Sequence, residues 1–98
     1  MLENNMITIE DCIGLSGLTQ EEILAIAEHE HVPEIAAAAL AQYLLNQDHG
    51  AEKICDMIRD DIRTALERGD KNHARELFMA LRHFVSTHPD AREINTPI

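Results

Sequence analysis

Leu18-Thr19-Gln20-Glu21-Glu22-Ile23 decides the fold of this chain. A Thr followed three residues later by a Glu, ahead of an apolar run, is the pattern of a helix N-terminus. The hydroxyl accepts from the backbone N–H three residues on, and the carboxylate reaches back to the N–H of the Thr. Leu18 and Ile23 stand where a hydrophobic staple closes over that turn. The helix so begun is predicted over residues 20–30, with Ile23, Leu24, Ile26 and Ala27 on one face. With no strand-like alternation competing elsewhere, the fold class is all-α.

Downstream, Val32-Pro33 marks a bend, because Pro suits the first turn of a helix and pushes the residue before it to an extended conformation. A further helix is predicted over residues 33–46, read as Ile35, four alanines, Leu40, Ala41, Gln42, Tyr43, Leu44 and Leu45. Its apolar side chains cover almost the whole wheel. That predicts either a central position in a bundle or a Leu40/Leu44 stripe that meets a second chain. Asp48-His49-Gly50 reads as a turn, followed by a helix over residues 52–68 with Ile54, Cys55, Ile58, Ile62, Ala65 and Leu66 on one side. Opposite charges at helical spacing, such as Asp60 and Arg63, line its outer face. Gly69 fits a left-handed C′ position and Asp70 caps the last helix, residues 71–87, which is predicted to bury Ala74, Leu77, Phe78, Leu81, Phe84 and Val85. Upstream, Thr8 opens a short leading helix ending by Gly14 to Gly17. The expected architecture is a compact bundle of about five helices, a short leading helix plus two helical hairpins. One domain spans residues 1–89, and residues 90–98 are expected to fray.

Gly69-Asp70 followed by Ala74, Phe78 and Leu81 resembles the turn and second helix of a tetratricopeptide repeat. The resemblance covers one half-repeat and implies a shared way of making a helical hairpin; the multi-repeat array of that family has no second copy here.

Composition narrows function by exclusion. Eight Lys and Arg against eighteen Asp and Glu give 8 − 18 = −10, a field that repels nucleic acid and anionic membranes. The longest apolar run, residues 35–41, falls well short of the ~18 residues a membrane span needs. Met1-Leu2-Glu3-Asn4-Asn5-Met6 lacks the basic and apolar regions of a secretory signal, and Cys12 and Cys55 have no metal-binding or redox spacing. A cytoplasmic protein with buried, reduced thiols is expected. No nucleophile elbow or phosphate loop is present, so no enzyme activity and no cofactor are read from the chain.

Chemistry-bearing residues concentrate in Glu28-His29-Glu30-His31-Val32-Pro33-Glu34. Glu28 and His31 share a spacing that puts a carboxylate and an imidazole on one helical face, which suggests Glu28, His31 and Glu34 as ligands of a metal ion. Glu30 and His31 lean toward the Ile23/Ala27 side, so one of them is expected to hydrogen-bond to another helix. On the last helix Met79 and His83 lie four apart, flanked by Arg75 and Arg82, opposite its apolar face. Met and Arg are enriched in interfaces. Leu40, Leu44, Met79 and His83 are therefore the candidate interface residues. The favoured function is protein–protein contact, by self-association, most simply as a homo-oligomer, or by docking to another protein; metal binding is the alternative.

Overall fold

The computed structural model describes residues 17–89. Four helices follow one another: α1 (Gln20–Glu30), α2 (Glu34–Leu45), α3 (Gly50–Glu67) and α4 (Lys71–Thr87). No strand occurs among the described residues. The helix opened by Thr8 and the tail from residue 90 lie outside the described residues.

The capping box forms as read. Thr19 Oγ1 accepts from the Glu22 N–H at 3.1 Å, and the Thr19 N–H donates to Glu22 Oε1 at 2.9 Å. Leu18 and Ile23 are both buried beside it. The α3–α4 turn is equally explicit. The Gly69 N–H donates to the Leu66 carbonyl and the Asp70 N–H to the Ala65 carbonyl, the paired bonds of a Schellman closure, with Gly69 at φ 77°. Asp70 Oδ1 then accepts from the His73 N–H at 3.1 Å and starts α4.

Three sequence expectations are corrected. The helix expected from residue 52 begins at Gly50, because His49 takes the left-handed conformation (φ 62°) and turns Gly50 under the end of α2. A Cβ on Gly50 would stand 1.5 Å from the Leu44 carbonyl oxygen, so only glycine lets the helices meet there. Second, α2 is not the central helix, and its leucines turn inward within the chain. Ala37, Ala38, Ala41 and Leu44 are buried against α1 and α3, and Leu40 packs onto the same core. The side left open is Ile35, Ala36, Ala39 and Tyr43. Third, Phe78 is 52% exposed instead of buried, and Ala80 takes a core position. Fully buried Phe84 and nearly buried Leu77 fix the inward direction of α4, and Phe78 falls about a third of a turn outside it.

Ile23, Ile26, Ile54, Ile58 and Phe84 are the largest fully buried apolar side chains of a continuous core in which α3 and α4 pack most extensively. α4 packs on α3 and α1. Its remaining side faces outward.

Candidate interaction surface

Three histidine–carboxylate pairs tie the helices together across the bundle. His83 on α4 donates through Nδ1 to Glu22 Oε2 at 2.6 Å. His73 on α4 meets Glu28 through Nε2 at 2.7 Å, and Glu76 through Nδ1 at 3.2 Å. His29 on α1 meets Asp61 on α3 at 3.2 Å. Glu22 is fully buried, and its two oxygens are divided between the Thr19 N–H and His83, which is how a buried carboxylate is kept satisfied. Asp61 is less well served: its Oδ2 is buried with no hydrogen-bond partner among the described residues. The Glu76 carboxylate, helped by Glu28, holds the His73 imidazole above its ordinary pKa against a smaller opposing effect of burial.

These ties leave a cleft of about 360 Å³ between α1 and α4. Its floor is Ala25, Leu77 and Ala80, all buried, with Leu24 at 43% exposure on one lip. Glu21, Glu28 and Glu76 form the rim, with His73 between the last two. Small floor residues keep the cleft open, and the rim is acidic.

The outward side of α4 has the opposite character. Phe78 and Met79 are 52% and 53% exposed. Lys71, Arg75 and Arg82 are exposed at the one-turn spacings that place them on the same side. The sole acidic residue of α4, Glu76, points to His73 in the cleft. Three of the eight Lys and Arg residues of a strongly acidic chain thus share one helical stripe with two large apolar side chains.

The metal-ligand candidates are not gathered. Glu28 is engaged with His73, and His31 turns off the helix as its left-handed C-cap (φ 59°), which breaks the one-face relation with Glu28 that the spacing implied. Glu34 opens α2 beyond the Pro33 bend. His73 touches its two carboxylates through opposite ring nitrogens, so it bridges them instead of converging on one point with them. Among the described residues no three His, Cys, Asp or Glu side chains are placed to hold a metal ion.

Of the interface candidates, Leu44 and Leu40 serve the core, while Met79 lies on the open stripe. His83 is exposed but tied to Glu22. Glu30 and His31 are exposed; their neighbours Glu28 and His29 make the inter-helix bonds. The wheel misplaced them because the buried face of α1 includes Glu22, which a hydropathy pattern counts as solvent-facing. The burial of Glu22 and its bond to His83, the bridge made by His73, the buried Asp61 and the exposure of Phe78 escaped the sequence reading. The available signal was α4 itself, which carries three bases and one acid in an otherwise acidic protein.

Burial holds the Cys55 thiol up at about 11, partly offset by Arg59, which makes it a core residue with no thiolate chemistry near neutral pH. No helix among the described residues is long and apolar enough to cross a membrane. No protein-family model, curated protein or solved structure matches this chain.

Proposed function

We propose that this chain works by protein–protein contact through the outer side of α4. The observation that carries this reading is Phe78 and Met79, adjacent and each just over half exposed, between Arg75 and Arg82. Apolar area left in water forgoes about 25 cal/mol per Å². Aromatic, Met and Arg side chains are also the types enriched where proteins meet. A stripe held only for solubility has no use for an exposed Phe. The rest of the molecule supports a rigid platform: α4 is fixed to α1 by His73 and His83 and to α3 by the core. A free, buried Cys55 accords with a reducing compartment, and the cytoplasm is the proposed location.

The test compares the native-state size of this chain in gentle extracts of producing cells with that of Phe78→Ser/Met79→Ser. Both positions are surface-exposed, so the variant is expected to keep the wild-type melting temperature while the complex disappears. Equal apparent sizes for the two proteins, or a complex that survives the double substitution, refute contact through this side of α4.

A further inference from the structure

From the two surfaces of α4 we infer that the partner is a second copy of this chain, whose α1–α4 cleft receives the α4 stripe. This rests on the contact reading above and names the partner it left open. The stripe offers Phe78 and Met79 with bases on either side, Lys71 and Arg75 before and Arg82 after. The cleft offers an apolar floor of Ala25, Leu77 and Ala80, the exposed lip of Leu24, and three carboxylates at Glu21, Glu28 and Glu76. Each surface supplies what the other lacks. Apolar knobs meet the apolar floor of a cleft of about 360 Å³, and the bases meet a rim whose three carboxylates outnumber the one histidine bound between two of them. An acidic cleft also disfavours the acidic outer surfaces of the same molecule, and the α4 stripe joins three bases to two exposed apolar side chains that suit its floor.

The two surfaces occupy different sides of one helix. His73, Glu76, Leu77 and Ala80 line the cleft; Arg75, Phe78, Met79 and Arg82 form the stripe. A copy that receives one neighbour in its cleft still presents its own stripe to another. The pairing closes as a two-fold dimer where each stripe enters the other copy's cleft at once, and runs head-to-tail past two chains where it does not. The net charge of −10 on each copy opposes assembly at long range. At physiological salt the screening length is about 8 Å, which mutes that repulsion more than the close pairs across the cleft.

Sedimentation velocity of the purified full chain at physiological salt, from micromolar to millimolar concentration, tests the inference. The expected result is a weight-average mass that climbs with concentration from the 11.0 kDa of one chain to twice that or beyond. Arg75→Glu/Arg82→Glu and, separately, Glu21→Lys/Glu76→Lys are expected to weaken association about tenfold or more. An equimolar mixture of the two variants is expected to regain it, because the reversed stripe then meets a reversed cleft. Phe78→Ser, outside the core, is the second probe and is expected to stay monomeric with an unchanged melting temperature. Association that ignores both charge reversals overturns the pairing. A monomer at every concentration overturns it too; if the cell-extract complex is still lost in Phe78→Ser/Met79→Ser, contact through α4 stands and its partner is another protein.

Discussion

His83→Ala is expected to destabilise this protein by about 1–3 kcal/mol, although the His83 side chain is 53% exposed. The cost lies with its partner. Glu22 is fully buried, and His83 is the only hydrogen-bond partner of its Oε2 among the described residues; Oε1 is held by the Thr19 N–H. Removing the imidazole leaves a carboxylate oxygen in the core between α1 and α4 with nothing to accept from. A helical domain of this size loses roughly 4–8 °C of melting temperature per kcal/mol, so the midpoint should fall by roughly 4–24 °C. The control is His49→Ala. His49 makes the same kind of bond, Nδ1 to Glu52 Oε2 at 2.9 Å, but within one helical turn at the surface. Losing an exposed pair of that type costs about 0–1 kcal/mol. Thermal melts followed by far-ultraviolet circular dichroism read both variants. Equal, small shifts for His83→Ala and His49→Ala would refute the claim that a buried carboxylate locks α4 to α1.

Three further outcomes follow from single residues. Gly50→Ala replaces glycine in a helix, which by propensity alone gains about 1 kcal/mol. The new Cβ would instead meet the Leu44 carbonyl oxygen at 1.5 Å, so the variant should be destabilised by about 1–3 kcal/mol or more, and a raised melting temperature refutes the packing. For His73, whose pKa is raised by Glu76 and then Glu28, with Asp70 adding to the effect, the folded midpoint lies above the ordinary 6.5. The stabilisation it adds is complete below the unfolded pKa and is lost as pH rises through the folded one. The melting-temperature gap between wild type and His73→Gln should therefore be wider at about pH 6 than at about pH 9, with a ring-proton titration midpoint above 6.5; a gap that grows with pH contradicts it. Cys55, buried and titrating at about 11, should react with a thiol reagent at neutral pH only as fast as the protein unfolds, measured in a Cys12→Ser background.

Much of the fold is written in local chemistry. Thr19 with Glu22, Pro33, and Gly69 with Asp70 each satisfy or remove specific backbone N–H and C=O groups, and the helix ends they mark agree with the structure to within a residue. Gly50 shows where local reading stops. Its requirement comes from the Leu44 carbonyl across the joint, a tertiary contact that no turn pattern announces. The surface was harder for the same reason. Phe78 reads as core on hydropathy, and only the direction fixed by Phe84 and Leu77 puts it in water. Glu22 was visible as half of a capping box, yet its second oxygen binds a histidine 61 residues away. The Glu28/His31/Glu34 cluster looked like chemistry because spacing assumes an unbroken helix. The left-handed turn at His31 ends that assumption.

Photo-crosslinking from position 78 tests contact through α4 most directly. A benzophenone-bearing phenylalanine analogue replaces Phe78 in one preparation and Tyr43 in another, Tyr43 being 61% exposed on the open side of α2 with no basic stripe around it. Irradiation in producing cells is expected to give a discrete crosslinked product from position 78 and none of comparable yield from position 43. For a second copy of the chain, the crosslink maps to Leu24, Ala25, Leu77 or Ala80 of the other molecule. Equal diffuse labelling from both positions, or none from position 78, would contradict a binding surface on the outer side of α4.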